Sequence, residues 1–324
     1  VTTNVAHVED VTPSESADRT VFGEGALVGI GSLPHRDAAA AAAFAIGEFD
    51  IATIPTLPKR SPAENSIQRA IGGAPGVSFG QYGSIAVDPR HLGDDVPITT
   101  DLSSDAFVGL TAFLDLATRV GLDGAPVKWQ FVGPVTLGVA LQRAGLRHTS
   151  AFAIAARAVR EHLVAIRTAV STALPESPQL VMLDEPELVD LLADDFPIPP
   201  DEAVDLISTG MAAIGHDVTV GVHCCGSVDV ATMFATGPCV VSIAADERVT
   251  EYAGYIDRFL GDGGLIAWGV TPVEGPLPTS GDRPWRALSD LWCELVERGC
   301  DPVALRRQSL VTPVCGLASH SVSI

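Results

Sequence analysis

The sequence predicts a single (β/α)8 barrel, an α/β fold, and three observations carry that expectation. Eight short apolar runs recur along the chain. They alternate with stretches of helical spacing or with Gly- and Pro-rich connections. The alternating pattern fills about 290 residues, the size of one such barrel. The rival is a doubly wound open sheet, which carries a phosphate-binding glycine fingerprint after its first strand. Here Gly29-Ile30-Gly31-Ser32-Leu33-Pro34 lacks the last glycine and sets a proline where the helix should begin.

Taken in order, Ala26 to Gly31 reads as the first strand and the alanine-rich run Asp37 to Gly47 as a helix. Phe49 to Ile54 is the second strand. The stretch from Pro55 to about Thr100 is too long for an ordinary connection. It reads as an excursion with a short strand of its own at Ser84 to Val87, or as a lid. Asp105 to Val120 is helical in pattern, and Val127 to Val132 is the third strand. Pro134 opens an interrupted helix to about Ala173, and Leu180 to Leu183 is the fourth strand. The helix Asp201 to Ile214 leads to the fifth strand, Val218 to Val222. A short helix at Asp229 to Ala235 precedes the sixth, Cys239 to Ile243. The helix Val249 to Leu260 precedes the seventh, Gly264 to Trp268. The helix Trp285 to Arg298 precedes the eighth, Ser309 to Val314. Trp129 and Trp268 sit on strands and read as barrel filling.

Composition narrows the partners. The chain has 324 residues, is 47% hydrophobic, and carries 40 acidic against 20 basic residues for a net charge of −20. Lysine occurs only as Lys59 and Lys128. Without a basic stripe, nucleic acid is not an expected partner. No apolar run is long enough to span a bilayer, so no membrane partner is expected either. Residues 1–22 are polar and acidic and read as a flexible tail, which leaves 23–324 for the barrel. The tail shows no charged-then-apolar signal sequence, so a cytoplasmic location is the default expectation. The six cysteines then favour metal or core roles over a disulfide framework.

In a (β/α)8 barrel, polar residues just after the strands gather at one mouth. His223 and Cys225 end the fifth strand, two residues apart and so on one face. Cys315 follows the eighth. Together they make a plausible N/S/S zinc shell with a position left open, the pattern of a catalytic site. Asp246 or Glu247, after the sixth strand, is a candidate fourth ligand. Cys224 points away and reads as packing. Zinc with two thiolate ligands is suited to holding an incoming thiol as thiolate, which is the requirement of alkyl transfer to sulfur. Lys59 and Arg60 are the densest positive charge in the chain. With Glu64 they lie in the excursion, where they could meet a carboxylate or phosphate of substrate or donor, or simply be solvated.

These motifs resemble the C-terminal catalytic half of cobalamin-independent methionine synthase, within the superfamily that includes uroporphyrinogen decarboxylase. The pieces occur in family order: Ile30-Gly31-Ser32-Leu33-Pro34, Gly133-Pro134-Val135-Thr136, Leu183-Asp184-Glu185-Pro186, His223-Cys224-Cys225 and Thr312-Pro313-Val314-Cys315-Gly316-Leu317. The resemblance implies a zinc-dependent methyltransferase that converts homocysteine to methionine, with Zn2+ held by His223, Cys225 and Cys315. It implies that Asp184 binds the substrate amino group and that Ile30 and Ser32 line the amino-acid end. The methyl donor would be methyltetrahydrofolate or a corrinoid protein. The pattern departs from the family at two points. The family's fourth zinc ligand, a Glu ending the sixth strand, is replaced by Ala244, with Asp246 two residues on. The family's His after the seventh strand has no counterpart in Gly269 to Gly275. Alkyl transfer to another small thiol, a porphyrinogen-type decarboxylase, and a zinc- or partner-binding barrel without turnover are the other readings.

Overall fold

In the computed structural model, residues 19–80, 84–88, 90–91, 97–273 and 280–322 are described. The chain begins with strand β1 (Ala26–Leu27), helix α1 (Ala38–Gly47) and strand β2 (Ala52–Thr53). Asp37 starts α1 by accepting the Ala40 N–H at 2.7 Å, the cap expected before an alanine run. The excursion follows: helix α2 (Ser66–Ile71), then a hairpin of β3 (Val77–Phe79) and β4 (Ile85–Val87). After α3 (Val108–Val120) the pattern becomes regular. Strand β5 (Val127–Val132) leads through α4 (Pro134–Arg143) and α5 (His148–Ala173) to β6 (Gln179–Asp184). Then come α6 (Pro200–Ala212), β7 (Thr219–His223), α7 (Val230–Ala235), β8 (Val240–Ala244), α8 (Ala253–Gly261) and β9 (Leu265–Thr271). Helices α9 (Asp282–Glu297) and α10 (Pro302–Arg307) and strand β10 (Ser309–Pro313) complete the series.

Eight strands form one parallel sheet in the order β1-β10-β9-β8-β7-β6-β5-β2. Its two edge strands meet through parallel bridges, Val28 with Ile51 and Ser32 with Thr56, so the sheet curls back on itself. This is the expected (β/α)8 architecture. Bonding between β1 and β2 is limited to these isolated bridges, sparser than the apolar runs suggest.

Alternation sorts the side chains into two cores. Val28, Ile51, Leu180, Met182, Val240, Leu265 and Leu310 fill the lumen near the strand starts. The larger core lies between sheet and helices and contains Trp129, Phe131, Val181, Leu183 and Trp268. The two tryptophans therefore fill the strand–helix layer and not the lumen. Each indole N–H is satisfied there, Trp129 by Gln179 Oε1 at 2.9 Å and Trp268 by Ser309 Oγ at 2.8 Å.

Phe22, which the sequence places at the end of a flexible tail, is 3% exposed and packs into the lumen core. Arg19–Val21 form a 3-10 turn leading into it, and the rest of the expected tail, 1–18, lies outside the described residues. The excursion is fastened to β5 by a buried cation. Arg69 Nη2 donates to the Gln130 carbonyl at 2.8 Å, and its guanidinium lies 4.8 Å from the Phe131 ring centre. His162 of α5 completes the contact, with Nε2 3.1 Å from the Ala70 carbonyl and Nδ1 2.9 Å from Thr100 Oγ1.

Two outcomes are expected from this packing. Phe22→Ala removes a buried ring from the lumen and should cost about 3 kcal/mol or more in urea unfolding. Burial lowers the His162 pKa to about 4, against 6.5 for the free side chain. The folded state therefore excludes a proton that the unfolded chain takes up. Its stabilising contribution is full above about pH 6.5 and is lost as pH falls towards 4. His162→Gln should flatten the stability–pH slope in that window by up to about one proton.

Candidate active site

The upper lumen is polar where the lower lumen is apolar. Ladder register sets Asp184 beside His223 and His223 beside Ser242, so three consecutive strands deliver three polar side chains to one arc. Ser242 Oγ lies 2.9 Å from His223 Nδ1 and fixes the ring. When Ser242 accepts from Nδ1, the lone pair remains on Nε2. That atom is buried and has no hydrogen-bond partner.

Cys315 closes the group from across the ring. Its sulfur lies beside the Cys225 side chain and His223. These contacts, Cys225 first and His223 second, lower the Cys315 thiol pKa, whereas the Cys225 thiol is raised, by Cys315 first and then by burial. Neither cysteine is in a disulfide. Cys224 faces the other way, is fully buried, and is pushed up to about 11 by burial. Contacts among His223, Cys225 and Cys315 are pairwise, with Cys315 the common member. Among the described residues, no three His, Cys, Asp or Glu side chains form a group arranged to hold a metal ion.

Below this group, Lys128 is buried with its ammonium bonded to the Ile30 carbonyl and, at 2.8 Å, to Gln130 Oε1. Burial lowers its pKa to about 8, and the nearby Asp184 opposes that shift. Asp184 is raised by burial, an effect countered by His223, Lys128 and Arg69 in that order. Its Oδ1 is buried without a partner. A buried carboxylate oxygen with no donor is costly, and a substrate N–H at this position would satisfy it. Ser32 lies beside the Cys315 segment, with its carbonyl accepting the Leu317 N–H at 2.8 Å. Ile30, Ser32, Asp184, His223, Cys225 and Cys315 thus belong to one neighbourhood.

The remaining candidates have other partners. Asp246 caps the turn Glu247–Tyr252, and its carboxylate pairs with Arg248 at 2.5 Å, which lowers its pKa. It lines a separate cleft with Gly226, Asp229 and Tyr252. Glu64 is buried and accepts from the Leu57 N–H at 2.9 Å and from Arg60 at 2.7 Å. Lys59 donates to the carbonyls of Ser319 at 3.2 Å and His320 at 2.5 Å.

Sequence reasoning missed the task of Glu185. Gly133 caps α4 but brings no side chain, so the first N–H groups of the helix need an outside acceptor. Glu185, fully buried at the end of β6, supplies both oxygens: Oε1 to Val135 N–H at 2.9 Å and Oε2 to Thr136 N–H at 2.7 Å. Burial nevertheless pushes its pKa up to about 7. Two of the short motifs therefore cap one another. The signal was present as Gly-Pro at a helix start with no capping residue beside it. Gly133→Ala should act through this contact, because the added carbon would lie 2.1 Å from Glu185 Oε1. The variant is expected to lose about 2 kcal/mol or more in thermal or urea unfolding.

No protein-family model and no curated protein matches the chain. Among solved structures, a Listeria monocytogenes chain provisionally named as a vitamin-B12-independent methionine synthase aligns at TM-score 0.47 and 20% identity, over 70% of this chain and 68% of that one. At that similarity it carries no argument about the chemistry of this chain, which rests on the residues at the barrel mouth.

Proposed function

We propose that this chain is a zinc-dependent methyltransferase that methylates a thiol, with homocysteine as the acceptor and methionine as the product. The observation that carries the reading is that Cys315, from just beyond the end of β10, lies beside both His223 and Cys225. The buried Nε2 of that His223 has no hydrogen-bond partner. The donor chemistry suits zinc: one nitrogen and two sulfurs, with the imidazole oriented from behind by a hydroxyl. His223 Nε2 and the sulfurs of Cys225 and Cys315 would hold the ion. A bound zinc ion lowers the pKa of a coordinated thiol far enough to supply thiolate at neutral pH.

The other residues divide the remaining work. Asp184 Oδ1 accepts from the acceptor's ammonium, for which it has an unused lone pair. His223, Lys128 and Arg69 offset part of the burial effect that raises the Asp184 pKa. Lys128 also fixes the Ile30 carbonyl, and with it the backbone wall leading to Ser32. Methyl transfer forms a carbon–sulfur bond while the donor keeps the electron pair of the bond that breaks. The thiol proton must leave beforehand. A methylated folate and a methylated corrinoid protein are the two donor classes to test.

Elemental analysis of the purified chain should find about one zinc per protein, with Cys315→Ser and His223→Ala losing it. Product analysis should find methionine formed from homocysteine with one of the two donors. Asp184→Asn should raise KM for homocysteine more than it lowers kcat. A metal-free preparation with full activity would overturn the reading, as would a zinc-loaded protein that methylates no thiol with either donor.

A further inference from the structure

We infer that the segment Gly316–Ser321 is a strap that sets the position of Cys315, and that Lys59 is the positioning residue that latches it. Cys315 lies two residues beyond β10, so the sheet does not place its sulfur directly. The β10–β9 register shifts between Thr312 and Pro313, and proline has no N–H to donate to a ladder. The last bond to the neighbouring strand is Val314 N–H to the Thr271 carbonyl at 2.9 Å. Beyond it the chain is held from the opposite side. The Leu317 N–H donates to the Ser32 carbonyl at 2.8 Å, and the Ser319 and His320 carbonyls accept from the Lys59 ammonium. Between these anchors Gly316 presses on Ser32, where an added carbon would lie 1.8 Å from the hydroxyl oxygen.

The arrangement explains one of the chain's two lysines. Lys59 is bonded to backbone carbonyls 260 and 261 residues away in sequence, and a flexible four-carbon stem with three donors suits that reach. The β1 and β2 loops therefore grip the far end of the chain, and Cys315 hangs between that grip and the β10–β9 ladder. His223 and Cys225 arrive on β7 and the turn after it, and need no such support. Releasing the latch should let the Cys315 sulfur leave Cys225.

The inference rests on the same three side chains as the proposed function, but not on turnover. The test reads proximity directly. Dibromobimane, which joins two thiols only when they are near neighbours, is applied to the full chain after metal removal by chelator. Peptide mass mapping gives the fraction of Cys225 and Cys315 joined to each other against the fraction singly alkylated. In Lys59→Met that joined fraction should fall several-fold, while Lys59→Arg should retain most of it. Gly316→Ala should reproduce the loss by lifting the strap, and Ser32→Gly added to it should restore the joined fraction. An unchanged joined fraction in folded Lys59→Met and Gly316→Ala overturns the strap. A chain that moves no methyl group yet shows the Lys59-dependent joined fraction removes the proposed function and leaves the strap standing.

Discussion

Side chains on a parallel ring leave the strands in layers, and the topmost inward layer sets Asp184, His223 and Ser242 side by side. The inward set of polar groups on these strands follows from that alternation. One residue of slip in β6 or β7 would turn Asp184 or His223 into the strand–helix layer and bring leucine or valine inward. The apolar lower lumen guards against the slip, because Leu180, Met182, Val240 and Leu310 would lose their packing with it. Stability below and chemistry above are two ends of the same strands.

Polar groups at this depth persist only because they compensate one another. Lys128, Asp184, Arg69 and Glu64 alternate in sign around β5 and β6, and each has its charged form disfavoured by burial. Breaking one member leaves its neighbours buried and unpaired, which is costlier than losing a surface pair. The Asp184 oxygen Oδ1 and the His223 nitrogen Nε2 are without partners in this arrangement, as is Arg69 Nε on its far side. Orphaned polar atoms at the open end of a barrel are the places where a bound molecule gains most from supplying what is missing.

Sequence and structure agree where chemistry is written into strand periodicity. The runs ending in Asp184, His223 and Val314 disclosed both a strand and the end that carries a functional side chain. Other features depended on contacts between distant segments and had no local signature. Nothing beside Glu185 in the sequence marks it as a cap, yet it is buried against the start of a helix fifty positions earlier. Lys59 reads as free positive charge, yet its partners are carbonyls near the other end of the chain. Phe22 reads as part of a polar tail because its apolar neighbours come from strands throughout the sequence. The tryptophans lie on the expected strands but face the helices, a matter of parity that an apolar run does not disclose. Helix α2 is six residues with few periodic cues, and its Arg69 packs on Phe131 of β5.

The interlock of Gly133 with Glu185 also bears on how such a chain can diverge. The carboxylate occupies the volume that any side chain at 133 would need, and the helix beginning there has no acceptor of its own. Neither position can drift while the other stays fixed. A descendant that acquires a larger residue at 133 must shorten 185 and find a new acceptor for the helix in the same lineage. The two sites should therefore be inherited as a pair, even in relatives whose mouth residues have been put to different chemistry.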